Sequence, residues 1–371
     1  MSATHTPRLT EVAALPTSGA RAVEPFELDG MHLLAIPQLA YDIPGSPAGM
    51  NGGDSDTELL LLRRAEGSDT YEPFQTLPAP GGEDAEFFRI GERAFLAVAD
   101  IRSGKGPYEY TTDSTVFEWD GTQFTPFQSI LGFAAKQWRH FAIGERHFLA
   151  LAQGVTVPGH EQENQPSRIY TWDGTRFAVL QDVDALWGYN WHAFELGGEH
   201  FLAYADHVRP SVLLRWNGEK FEHVQDLAPQ HGRAFAHFTD ARGETYLLVA
   251  CLASPSRLLR WDGERFAEHQ TLDGLGAREF AVLDTEHGLY VVRVNFILGT
   301  QAEPVTALDS VLYRFAEGRL TPLQSFPTTG ATDAAVLRGH DGGLLVAVSN
   351  SLTADVRFAA RTVLYRFDFD Q

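Results

Sequence analysis

Between Ser167 and Gln181 the chain runs Ser-Arg-Ile-Tyr-Thr-Trp, then Asp-Gly, then a second short run that begins at Phe177 and ends at Gln181. β-Branched and aromatic residues flank a turn dipeptide, so the pattern predicts a strand, a tight two-residue turn and a return strand. The phrase recurs with Trp119-Asp120-Gly121, Phe124 and Gln128, with Trp216-Asn217-Gly218, Phe221 and Gln225, and with Trp261-Asp262-Gly263, Phe266 and Gln270. A worn copy ends at Gln324. After each hairpin comes a second pair of strands, clearest from Phe87 to Ala99, with parallels at 141–152, 194–205, 238–250, 282–294 and 336–348. The first strand of this pair alternates. The second is almost wholly apolar, as expected of a strand covered on both faces.

The closing glutamines Gln75, Gln128, Gln181, Gln225, Gln270 and Gln324 lie 53, 53, 44, 45 and 54 residues apart. These are blade lengths for a β-propeller of four-stranded antiparallel sheets. The last repeat stops short of its returning strand, while Arg8–Ala13 resembles Arg319–Gln324. The N-terminal strand is therefore expected to complete the last blade, with Ala13 as the seventh anchor. The expectation is an all-β, seven-bladed propeller, one domain over residues 1–371, its ring closed by that strand. Closure of this kind removes the sheet edge that would otherwise pair with other chains.

Taken together, Trp-Asp/Asn-Gly…Phe…Gln followed by Phe-x-Ile-Gly-x-x-x-Phe-Leu-Ala-x-Ala resembles the EAR, or EPTP, repeat. The resemblance implies a seven-bladed propeller. It also implies the company of secreted or cell-surface proteins that bind other proteins.

Composition narrows the partners. A net charge of −20 disfavours nucleic acid and anionic membrane. The single cysteine, Cys251, sits in an apolar run and is expected to be core. Met1–Pro16 lacks the basic and apolar regions of a secretory signal, and no apolar run reaches membrane-spanning length. The expectation drawn from these points is a cytoplasmic monomer without a cofactor.

Variation concentrates on one rim. The loops between second and third strands are long in blades one, two, three, six and seven, and very short in blades four (206–210) and five (252–255). Long loops on a rigid scaffold carry binding. The innermost strands start on the same face, and blades three to five bring aromatic, His and Arg residues there, whereas the other blades bring carboxylates. Candidate proton carriers are His140 and His192, opposite Glu24 and Glu86. Candidate ligand-binding residues are Trp138, Arg139, Trp187, Tyr189, Asn190, Trp191, His231, Arg233, His237, Arg278, Glu279 and Asp333. An aromatic wall suits a small apolar or cationic ligand; Trp138 and Trp191 share a row with Val23, Ala85 and Phe235, which equally suits core. No metal set is assigned. Loop residues Asn51–Asp56 offer hard oxygens but lack the glutamate of a calcium loop.

Three functions are compatible with these residues. The first is a scaffold whose long-loop face and central pocket bind a small molecule or a partner protein. The second is a cofactor-independent cyclase, isomerase or hydrolase of an apolar metabolite. The third is a lectin.

Overall fold

The structure is a computed structural model that describes residues 6–300 and 302–369. Residues 1–5, over which part of the signal-segment expectation runs, lie outside the described residues. The described chain forms seven four-stranded antiparallel sheets and one two-stranded ribbon, and contains no helix. Blade three shows the plan, with strands Gln137–Ile143, Arg146–Ala152, Ser167–Trp172 and Phe177–Val183 paired in sequence order. The first strands of neighbouring blades pack side by side. Together, Glu24–Leu28, Gly82–Ile90, Gln137–Ile143, Gly188–Leu196, Gly232–Thr239, Ala277–Thr285 and Ala331–Arg338 ring a central channel.

Blade seven is built from both ends of the chain. Pro7–Pro16 pairs antiparallel with Arg361–Phe369, placing Leu9 opposite Phe367. No outer strand is left without its blade.

The Trp-Asp-Gly hairpin differs from the expected two-residue turn. Trp172 pairs with Phe177, so the loop has four residues. The Asp173 carboxylate accepts hydrogen bonds from the amides of Thr175 (2.8 Å) and Arg176 (2.9 Å). Gly174 takes a φ of 100°. Asp120, Asn217 and Asp262 do the same in their loops. The acidic or amide residue is needed as a side-chain acceptor, and glycine supplies only the positive φ.

The glutamines that mark the period prove to be clamps between blades. Gln128 Nε2 donates to the Phe177 carbonyl (2.9 Å), and its Oε1 accepts the Phe177 amide (2.9 Å). The same two-way bond joins Gln75 to Phe124, Gln181 to Phe221, Gln225 to Phe266, Gln270 to Leu320 and Gln324 to Leu9. One residue before each glutamine the outer strand bulges, as at Leu180 between the Ile169–Gln181 and Tyr170–Val179 pairs. The bulge turns the amide out of its own sheet toward the next blade. Ala13 holds the same post-bulge position in blade seven, but methyl cannot clamp. At that seam Asp69 of blade one accepts Arg366 (2.6 Å) and the His340 amide (2.7 Å) of blade seven instead.

Packing follows the blades in pairs. One cluster joins Leu61 and Leu77 of blade one to Leu96 and Phe117 of blade two. The recurrent serines Ser114, Ser167, Ser211, Ser256 and Ser310 each accept the amide of the residue that ends the neighbouring second strand or, for Gln153, directly follows it. Buried hydroxyls are thereby satisfied, and the role is structural. Cys251 is buried in the same framework.

Candidate functional site

Two cavities stack along the propeller axis. On the long-loop face lies an open cup of 620 Å³, bordered by Leu39, Met50, Ile101, Val155, Phe296 and Leu352 among others. The channel beneath it holds 260 Å³ and is lined mainly by ionisable side chains. Arg21, Glu83 and Lys136 line both and so form the neck between them. The loops of blades one, two, three, six and seven raise the wall of the cup. Over blades four and five the short loops contribute His207, Leu252 and Ala253 to the border, with Trp187, Tyr189 and Arg233 beside them.

The neck is built by residues at or just before the first strands, where these enter the channel from the loop face. Arg21 grips Glu83 with two bonds of 3.1 and 3.0 Å. Burial pushes the Glu83 carboxyl up, but Arg21 and Lys136 more than offset it, and its pKa lies below the usual value. Lys136 is 3% exposed, and its Nζ has no hydrogen-bond partner among the described residues. Burial lowers its pKa to about 7, against the pull of Glu83. Arg233 donates to His207 Nδ1 (2.7 Å) and the Gly232 carbonyl, and its guanidinium lies 3.9 Å over the Tyr189 ring. Arg278 lies 5.0 Å from the same ring.

Below the neck the balance reverses. Arg139 pairs with Glu86 (3.1 Å) in the company of Glu24, Asp84, Glu279 and Asp333. Burial first, then mutual repulsion, raises these carboxyls. Asp84 and Glu279 reach about 8, and Glu24 is raised well above its ordinary value. Glu86 and Asp333 are also raised, chiefly by burial. Several retain backbone donors: Asp84 accepts the Trp138 amide, Glu86 the His140 amide and Asp333 the Val23 amide.

The candidate residues divide among three places. Glu24, Glu86, Arg139, Asn190, His192, Arg278, Glu279 and Asp333 line the channel, and Trp191 borders it with its side chain buried. Trp187, Tyr189 and Arg233 line the cup. The others point elsewhere. His140 stacks on Phe88 at 4.4 Å and meets His147 at 3.1 Å, so it lies between blades and not opposite the carboxylates. Burial, then His147 and Arg139, lowers its pKa to about 3. His237 packs on Phe194 and meets His192 at 2.8 Å. His192 itself is held well below its ordinary pKa by burial, then by His237 and Arg139. His231 adopts a φ of 66° beside His207. Trp138 is fully buried and donates Nε1 to the Val98 carbonyl, and the Trp191 ring packs on Tyr204. Strand alternation turns both indoles into the blade interfaces, so the expected aromatic wall of the channel is not formed by them.

Sequence reasoning missed Lys136, Arg21, Glu83 and the apolar border of the cup. A signal was available for one of them. Lys136 is one of three lysines in the chain and follows the apolar run Phe133-Ala134-Ala135. In loop one, Arg102 donates to the carbonyls of Asn51 (3.0 Å) and Gly52 (2.7 Å), and Lys105 pairs with Asp54. Asp56 accepts the Gly104 amide, so several of the oxygens weighed there for a cation are engaged within the protein.

The family profile of the EPTP domain matches residues 71–120, 123–173, 176–217 and 220–262, half of the chain. The chain belongs to the EPTP family. Its boundaries fall so that each match starts near one hairpin Phe and ends near the next Trp-Asp-Gly, the repeat unit defined by the glutamine clamp. A mouse (Mus musculus) protein named "Thrombospondin-type laminin G domain and EAR repeat-containing protein" is 32% identical over 34% of this chain and 20% of its own length. Its human (Homo sapiens) counterpart is 33% identical over 36% of this chain and 19% of its own length. "Leucine-rich repeat LGI family member 3" of Macaca fascicularis is 28% identical over 42% of this chain and 26% of its own length. The matched part of the chain thus spans a fifth to a quarter of these EPTP relatives. Among solved structures, the periplasmic gluconolactonase of Pseudomonas aeruginosa superposes with a TM-score of 0.56 at 14% identity, over 88% of this chain and 98% of that one. At that identity the likeness speaks to the fold alone.

The relatives with EAR repeats and the LGI protein are secreted extracellular proteins. This overturns the cytoplasmic location expected from the sequence. That expectation rested on the first residues and a lone cysteine, and a buried thiol without a partner is compatible with either side of a membrane.

Proposed function

We propose that this EPTP propeller is a binding module that engages a partner protein over the cup on its long-loop face. The observation that carries this is the 620 Å³ open apolar cup, bordered by loops from most of the blades on a rigid ring. Apolar side chains that converge on a concavity gain affinity by excluding water, while the ring keeps the ordering cost low. The extracellular, multidomain setting of the relatives supports the same reading. An acid–base enzyme draws less support, because His140 stacks between blades and burial holds His192 well below its ordinary pKa, which leaves it a weak proton acceptor.

The test uses photo-cross-linking of the purified protein to the secreted and surface proteins of its source. Cross-links are expected on loops 37–56, 101–110, 153–166 and 296–309. Met50→Asp with Val157→Asp places two charges at the cup border and is expected to reduce capture of the same partner at least tenfold with an unchanged Tm. Cross-links confined to the Trp-Asp-Gly hairpins, or capture indifferent to the double substitution, would overturn the docking reading.

A further inference from the structure

The charge at the neck is unusual for this molecule. The chain carries −20 overall, yet Arg21, Lys136, Arg233 and Arg278 converge where cup and channel meet. The one carboxylate at that level, Glu83, is held by Arg21 with two bonds. Arg233 is satisfied by neutral acceptors: the Gly232 carbonyl and His207, whose pKa is lowered to about 3 by burial, Arg233 and His231. Among the described residues Arg278 donates to the Asn190 side-chain Oδ1 at 3.5 Å, and it also feels Glu279 and Asp333 below. Lys136 feels Glu83 and the Tyr189 ring, but its Nζ has no hydrogen-bond partner among the described residues. Three buried cations thus face a solvent-connected cavity without a bound anion of their own, and desolvating an ammonium or guanidinium costs several kcal/mol unless opposite charge offsets it. Directly above them the lining turns apolar at Leu39, Ile101, Val155, Phe296 and Leu352.

We propose that the neck binds a carboxylate carried on an apolar body, with the acid at Lys136, Arg233 and Arg278 and the body in the cup. A carboxylate suits this place better than a larger anion. Its two oxygens can take one charge-assisted bond from Lys136 and one from a guanidinium. The apolar or cationic ligand expected from the sequence is thereby replaced: the cations stand at the entrance, and the carboxylates stand behind them. The acid can belong to a free aliphatic or aromatic acid, or to the end of a partner segment. The site shares the cup with the docking reading but stands on the neck charges, so either can fail alone.

Thermal shift and calorimetry on the intact protein test it with octanoate, octanamide and octylammonium, which share a chain and differ in charge. Octanoate is expected to bind at least tenfold tighter than octanamide, and octylammonium not to bind. Lys136→Met, which keeps most of the unbranched side chain, is expected to cut the preference for octanoate over octanamide several-fold while leaving octanamide unchanged. An acetylated apolar pentapeptide with a free C-terminus, against its amidated twin, separates the sources. Tighter binding of the acid peptide than of octanoate assigns the site to a partner segment, and the reverse assigns it to a free acid. Equal binding of octanoate and octanamide to the natural protein, together with equal binding of the two peptides, would overturn the proposal whether or not Lys136→Met folds. An undiminished preference in a folded Lys136→Met protein would also overturn it. Loss of charge preference with partner capture intact removes the neck reading only, and failure of the border substitutions removes the docking reading only.

Discussion

Asp84 shows what burial does to a single group in this channel. Burial above all, then Glu86, raises its pKa from an ordinary 3.8 to about 8. Between those values the unfolded chain has released its proton and the folded protein still holds it, so stability falls as pH rises across that window. Asp84→Asn keeps an oxygen for the Trp138 amide and removes the ionisation. Its stability relative to the natural protein should rise by about 1.4 kcal/mol per pH unit from pH 4 to 8 and then level off. Urea titrations at pH 5, 6.5 and 8 check this, and a difference independent of pH would show that Asp84 is ionised throughout. Lys136 works in the opposite sense. It is faced by Glu83, Arg21, Arg278 and Arg233 and by the ring of Tyr189, and burial brings its pKa to about 7. A carboxylate bound beside it favours the charged form, so octanoate binding should take up close to one proton at pH 8 and almost none at pH 5.5. Calorimetry in two buffers of different ionisation enthalpy measures the uptake, and Lys136→Met should abolish it.

Among the elements, the outer strand decides how blades hold to one another. A bulge followed by glutamine places one side-chain amide against both backbone groups of the next blade's Phe or Leu. Gln181→Ala strands the amide and carbonyl of Phe221 and should cost about 1–3 kcal/mol. A fall in the urea midpoint without a change in slope would confirm a local loss. Ala13 occupies the bulged register without an amide and packs in the cluster that contains Tyr71 of blade one. Ala13→Gln should restore the clamp and stabilise the ring by about 1 kcal/mol. No gain in Tm would mean that the Asp69–Arg366 seam already holds the two blades too far apart for the amide to reach. The Trp-Asp-Gly turn was legible in the sequence, but its length was not. The register there is set by Trp pairing with Phe and by the Asp side chain capping two amides, a choice local propensity does not encode.

For the whole molecule, closure is the decisive property. Pro7–Pro16 supplies the outer strand of blade seven, and Gln324 of blade six clamps Leu9 within it. Removing residues 1–16 should expose the edge of Arg361–Phe369 and break the blade six–seven clamp. Light scattering should then report association where the natural chain gives a single species, since an open edge recruits strands. Closure also explains why the candidate site was only partly legible. Repeats, blade number, the split last blade and the crowding of His, Arg and carboxylates at the channel were all written in periodicity, because each follows from alternation within about fifty residues. The neck was not. Arg21, Glu83, Lys136, Arg233 and Arg278 come from five blades and lie up to 257 residues apart, and no local pattern says that they meet.

The sequence by itself determined the hairpin repeat, its glutamine punctuation and the return of the first strand to the last blade, because strand pairing and blade packing depend on short-range alternation that any copy displays. Tertiary structure alone decided which side of each inner strand faces the axis. It sent Trp138, Trp191 and His140 into the blade interfaces and set the buried cations above the carboxylates. Those assignments depend on ring curvature and on the field of residues distant in the chain, quantities that exist only once seven blades have closed.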